Sequence, residues 1–149
     1  MADVCTIGNY AGVNIFTATA AEIAAAPGNI YDSGPLMFSP SGPPGIGNAV
    51  HFNKIQGHKE FTLQCIGAGT NIQVEAFFTL DQATAMGTGN EWIPIPSPST
   101  EAANQWVNPM TPKTALRAQT NCCAIRFTAQ ATLAGAPTGQ VSILIMAST

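Results

Sequence analysis

The sequence predicts an all-β domain, an antiparallel sandwich or jelly-roll-like barrel with one short helix and long Pro/Gly-rich loops. Two observations carry this. Apolar residues alternate with polar ones at a period of two in several runs, the mark of half-buried strands. Short Gly-containing connections separate those runs, as in sandwiches and barrels. A separate observation bears on role rather than fold. Only five basic and eight acidic side chains occur in 149 residues, whereas about a quarter of a globular domain is usually charged. So few suit a repeated part of a permanent assembly.

The N-terminal third holds the helix and the first irregular stretch. Residues 13–17 have weak β character. Thr19 and Glu22 stand at capping-box spacing before an alanine-rich run that Pro27-Gly28 stops, which predicts a helix over 19–26. So short a helix must dock on something to persist. Residues 33–48 contain Pro35, Pro40, Pro43 and Pro44. Proline cannot donate to a ladder, so no central strand fits there. Leu36, Met37, Phe38 and Ile46 in that stretch are more apolar than a solvated linker needs. They are expected to lie on a neighbouring subunit or shell, as part of an arm. Residues 1–48 read as an N-terminal arm or edge elaboration on a β core over 49–149, in one domain overall.

The clearest strands follow. In 60–66, Phe61, Leu63 and Cys65 share one face, against Thr62 and Gln64. Across 67–71, Gly67 and Gly69 predict a hairpin into 71–80. There Ile72, Val74, Ala76, Phe78 and Leu80 line the inward face. Residues 83–121 are irregular, with both tryptophans and five prolines. Weak strands are expected at 49–52, 91–95 and 114–119, and Pro94, Pro96 and Pro98 confine the second to a sheet edge. In 123–133, Cys123, Ile125, Phe127, Ala129, Ala131 and Leu133 alternate with Arg126, Thr128, Gln130 and Thr132. Residues 134–139 predict another hairpin connection. The run 140–147 is apolar on both faces, as in a strand covered on both sides.

Several function classes are excluded or left without support. No run approaches the roughly 20 apolar residues of a membrane span. A net charge of −3 with no basic run argues against nucleic acid. Met1 leads straight into Ala2-Asp3-Val4-Cys5, which predicts no secretion signal and synthesis in a host cytoplasm. Cys5, Cys65, Cys122 and Cys123 are expected as free thiols rather than a disulfide framework. Neither His51 nor His58 has zinc-ligand spacing to a cysteine, so no metal is expected. With two histidines, no nucleophile elbow, no phosphate loop and no dinucleotide fingerprint, neither catalysis nor a cofactor is expected.

Two clusters remain as candidate contacts. His51, Lys54, His58 and Lys59 lie within nine residues and read either as a solvated loop or as a docking patch for an acidic surface. Trp92 and Trp106 read as core or interface anchors, or as platforms for a glycan.

The stretches FTLQCIGAGTNIQVEAFFTLDQATAMGTGNEWIPIP and RFTAQATLAGAPTGQVSILIMA resemble small β-sandwich structural proteins of tailed bacteriophages, the capsid decoration (cement) and fibre-head types. The resemblance covers about residues 60–147: paired alternating strands, a D…G…W stretch and a final apolar strand. It implies a homo-oligomer, often a trimer, bound to a major capsid protein outside an icosahedral shell and stabilising it without catalysis. Sparse charge agrees, since a subunit of a permanent assembly needs less of it than a free protein. The expected function is therefore a capsid decoration subunit in the virion. The alternative is a glycan- or receptor-binding module of a tail fibre or adhesin, and a tail or neck component is a third placement.

Overall fold

A computed structural model of the chain describes residues 13–37, 60–96, 106–118 and 124–148. Its strands are β1 Val13–Thr19, β2 Ile30–Asp32, β3 Leu36–Met37, β4 Glu60–Ile66, β5 Ile72–Thr79, β6 Ile93–Pro94, β7 Ala115–Ala118, β8 Ala124–Ala131 and β9 Gln140–Ser148. Two helices join them, α1 Ala20–Ala25 and α2 Gln82–Ala85. The second was not expected.

All strand pairs are antiparallel, and they form two sheets. One has the order β1-β9-β4-β7, the other β2-β8-β5-β6 with β3 also on β8. The pairs β1–β9, β2–β8, β3–β8, β4–β7 and β5–β6 are those of one long ribbon folded back on itself. Rolling that ribbon adds β9 against β4 and β8 against β5. This is a jelly roll, a two-sheet β-sandwich.

The core lies between the sheets, and the period-two reading places most of it. Leu63, Cys65, Val74, Ala76, Phe127, Ala129, Val141 and Ile143 are all fully buried. Each side chain of this size adds roughly 1.5–3 kcal/mol when taken out of water, alanine less. The periodicity fails at strand ends. Leu80, expected inward, is 67% exposed, and Thr79 is buried instead. Leu133 is fully exposed in the turn after β8. In β9, Val141, Ile143 and Ile145 are buried inward while Leu144 on the other face is half-buried.

Residues 13–37, expected as arm or edge elaboration, supply an edge strand to each sheet. Ile15, Phe16, Ala18, Ile23 and Leu36 from this segment belong to the core. The pairing of β1 with β9 shifts between Asn14 and Phe16. That bulge lets consecutive Ile15 and Phe16 both face inward, and the Asn14 side chain accepts the Phe16 N–H at 3.1 Å.

The expected capping box is present on α1. Thr19 Oγ1 accepts the Glu22 N–H at 3.1 Å, and Glu22 Oε1 accepts the Thr19 N–H at 3.1 Å. Ile23 then docks the helix into the core at 1% exposure. The helix ends where Pro27-Gly28 opens a short turn, with Gly28 at φ 65°.

Both expected hairpins prove to be arches between the sheets. Residues 67–71 carry the chain from β4 to β5, and 132–139 carry it from β8 to β9, each in the opposite sheet. The two arches pair with each other. Thr70 and Thr138 exchange backbone hydrogen bonds at 2.9 and 3.0 Å, and the Gly69 N–H reaches Gln140 O at 2.9 Å. The Ala20 N–H at the start of α1 joins them through Gly139 O at 2.9 Å. Backbones approach so closely that side chains do not fit. A Cβ on Gly67 would stand 2.6 Å from Gln140 O, and one on Gly69 would stand 2.8 Å from it. Gly67 also has φ +125°.

Substituting Gly67→Ala or Gly69→Ala is therefore expected to cost about 2 kcal/mol or more in urea denaturation. Gly28→Ala, where nothing lies within 4 Å, should cost only about 1 kcal/mol, from its positive φ. Equal losses at all three positions would contradict this account of the arches.

A pH dependence follows from two caps. Hydrogen bonds from Tyr31 and Thr19 hold the Glu22 carboxyl below its usual range, and those from Thr84 do the same for Asp81. A depressed carboxyl stabilises the fold above its unfolded pKa, and that stability fades as pH falls through the folded value. Tm should therefore decline below about pH 4, near the unfolded carboxyl values, and Glu22→Gln should make the decline shallower.

Candidate functional site

The densest chemistry lies on the outer face of the β2-β8-β5-β6 sheet. Alternation sends Arg126, Thr128 and Gln130 of β8 outward, because Ile125, Phe127 and Ala129 are buried. Register then selects their neighbours. Arg126 pairs with Phe77 of β5, and Thr128 pairs with both Asp32 of β2 and Glu75 of β5. Asp32 thus lies diagonally across from Arg126, within reach of its long side chain.

The Asp32 carboxylate accepts Arg126 Nε at 3.0 Å on each oxygen, and Nη2 approaches Oδ2 at 2.9 Å. The same carboxylate is positioned locally, since Oδ1 also accepts the Gly34 N–H at 2.8 Å. Next in the chain, Ser33 continues the pairing to β8. Its N–H donates to Phe127 O, and its Oγ accepts the Phe127 N–H, both at 2.9 Å.

The pinned guanidinium lies over two rings. Its carbon stands 5.4 Å from the centroid of Phe77 and 5.7 Å from that of Trp92, which precedes β6. A chain of contacts thus runs across the face from Trp92 and Phe77 through Arg126 to Asp32. With side-chain exposures of 25% and 43%, the ion pair is worth at most about 1 kcal/mol. Each cation–π contact adds roughly 0.5–1 kcal/mol. The arrangement matters more for fixing positions than for its summed energy.

Asp32 also borders a groove between α1 and β2. This cavity of about 640 Å³ is lined by Glu22, Ala25, Ala26, Pro27, Ile30 and Tyr31, together with Asp32. Its walls are mainly apolar, and Glu22 and Tyr31 share a hydrogen bond that lowers the Glu22 pKa and raises that of Tyr31. Tyr31 is anchored from inside, stacked on Phe16 at 5.8 Å.

The expected contact residues fall in different places. Trp92 belongs to this face. Trp106 does not, for it bridges to Ala115 at the β7 edge of the other sheet, with Arg117 4.8 Å over its ring. Leu36, expected as an outward contact, is 1% exposed in the core because its pairing with Ile125 turns it inward. The backbone of Met37 pairs with Ala124. Phe38, Ile46, His51, Lys54, His58 and Lys59 lie outside the described residues, as do Cys5, Cys122 and Cys123. Cys65 is a free, buried thiol whose pKa burial pushes up to about 12. It is a core residue rather than a nucleophile.

Sequence reasoning singled out neither Asp32 and Phe77 nor the groove. Arg126 entered only as a polar position in the alternation of 123–133. Asp32 and Arg126 are 94 residues apart, and no local pattern signals that β2 pairs with β8. Among the described residues, no group of three His, Cys, Asp or Glu side chains could hold a metal ion, and no helix is long and apolar enough to cross a membrane.

Arg126→Ala should lower stability by about 1–2 kcal/mol, from the lost ion pair and two ring contacts. In a Trp106→Phe background, the emission of Trp92 should shift to the red and become more accessible to acrylamide. Arg126→Lys should not restore it, because an ammonium cannot reproduce the planar fork.

No family model, no curated protein and no solved structure matches the chain.

Proposed function

We propose that the chain is a virion structural subunit, a capsid decoration (cement) protein that forms a homo-oligomer on a phage shell and stabilises it. The observation that carries this reading is the outer face of the β1-β9-β4-β7 sheet. Outward positions there include Asn14, Thr17, Thr62, Gln64, Ser142 and Leu144. Among the described side chains on that face the one charge is Arg117, held over Trp106.

A solvated sheet face normally carries polar, often charged, residues opposite its core positions, and dispersed charge is what keeps free proteins apart. A broad face of small neutral side chains suits burial against neighbours instead. The fold supports the same reading, because jelly rolls recur in viral capsid proteins. So does the low overall charge, 9% of residues. The other sheet, with Asp32, Glu75 and Arg126 on its outer face, is the one suited to face solvent.

The direct test is an antibody to this chain applied to phage particles from a culture that produces it. Regular labelling of capsids supports the proposal. Labelling of tails or of nothing, with a purified protein that stays monomeric at micromolar concentration, rejects it. Leu144→Asp places a charge at the centre of the neutral face. It should weaken self-association at least tenfold, about 1.4 kcal/mol, by light scattering, with an unchanged circular dichroism spectrum.

A further inference from the structure

We infer that the outer face of the β2-β8-β5-β6 sheet is a binding site for a neutral oligosaccharide, lying across the strands from Trp92 to the groove beside α1. This goes beyond the proposed structural role and does not depend on it.

Four features select that ligand. The first is stacking surface. Arg126 lies over one face of each of the half-buried rings Phe77 and Trp92, and the opposite face of a ring so fixed suits the C–H face of a sugar. The second is a fixed set of donors and acceptors. A carboxylate and a guanidinium locked together at 2.9–3.0 Å present acceptor and donor side by side, the complement of adjacent hydroxyls on a ring. Both ends are held before any ligand arrives, Asp32 by the Gly34 N–H and Arg126 by Asp32, so little order is lost on binding.

The third is continuity. Asp32 both holds Arg126 and lines the groove of about 640 Å³, so the polar centre opens into apolar walls at Ile30 and Pro27. From β6 to β2 the face spans about 14 Å at ~4.8 Å per strand, long enough for a short chain of sugars rather than one. The fourth is charge. Among the described side chains, Glu22, Asp32 and Glu75 outnumber Arg126 on and beside this face, and that guanidinium is already paired with Asp32. Sialylated, sulfated or phosphorylated ligands are therefore disfavoured, and neutral ones are not.

The test is an array of neutral glucan, mannan, galactan and chitin oligosaccharides of about four to six units, printed beside sialylated and sulfated ones. The strongest neutral binder is then titrated into ¹⁵N-labelled protein. Expected are shifts at the Trp92 indole N–H and the Arg126 Nε–H, and affinity at least tenfold lower in both Trp92→Ala and Asp32→Asn. Trp106→Ala should bind like the unaltered protein. Should Trp92→Ala fail to fold, Asp32→Asn and the indole shift still decide the matter. The proposal is overturned if no neutral oligosaccharide binds at millimolar concentration, if anionic glycans bind best, or if binding survives Asp32→Asn undiminished. A particle-labelling failure would reject the virion role and leave this result standing.

Discussion

The close approach of backbones at one end of the sandwich is the constraint on which the remaining structure depends. Two sheets packed face to face lie about 10 Å apart, and the chain must cross that gap within a few residues after β4 and again after β8. It does so by laying Gly67 and Gly69 directly against Gln140 and Val141, where a Cβ would collide with backbone. Thr70 and Thr138 then tie the arches together, and Gly139 binds the start of α1. With that end closed, β4 lies beside β9 in one unbroken register from Glu60 to Ile66. Leu63 meets Ile145 and Cys65 meets Ile143. The buried core and the outer face, with Arg117 its one described charge, are two consequences of the same registration.

Edges are the second problem of an open sandwich, and a chain so poor in lysine cannot rely on charge to blunt them. The segment between β6 and β7 takes on part of the task. The Asn108 side chain bonds Ala76 N and O, at 3.0 Å each, and Ile95 O at 2.7 Å, while Met110 exchanges backbone hydrogen bonds with Val74. The exposed side of β5 is thereby occupied along much of its length. Pro94 in β6 limits further pairing beyond it, and a bulge interrupts β1 at the opposite edge of the other sheet. At these edges, edge-to-edge aggregation is thus opposed by geometry.

A jelly roll has two broad faces, and in this chain they differ in kind. One bears small neutral side chains with a single described charge. The other carries an ion pair, two aromatic rings and an adjoining groove. Burying the first against neighbours while leaving the second open is compatible with both proposals at once. In that arrangement a lattice contact and a ligand contact do not compete for surface.

Much of the local structure was legible in the residues themselves. The strand Glu60–Ile66, the capping box at Thr19 and Glu22, and the confinement of Pro94 to an edge each follow from contacts within a few positions along the chain. Alternation likewise marked Val74, Ala76, Phe127 and Ala129 as one face, and all four are buried. It marked Leu80 and Leu133 wrongly, because a strand's period ends where its ladder ends and no residue announces that point. Gly67 and Gly69 showed that the chain turns, but a hairpin and an arch both need glycine. Only the packing against Gln140 distinguishes them. Leu36 looked like an arm contact until pairing with Ile125 placed it in the core. The Trp92–Arg126–Asp32 array was invisible for the same reason: it joins residues brought together by strand register across 94 positions. Local alternation was enough to find the long strands and the face most of them present, but not the short β2 and β3, which exist only through their pairing with β8. Tertiary structure decided which strands are neighbours, since pairing depends on non-local packing that no short window of residues contains.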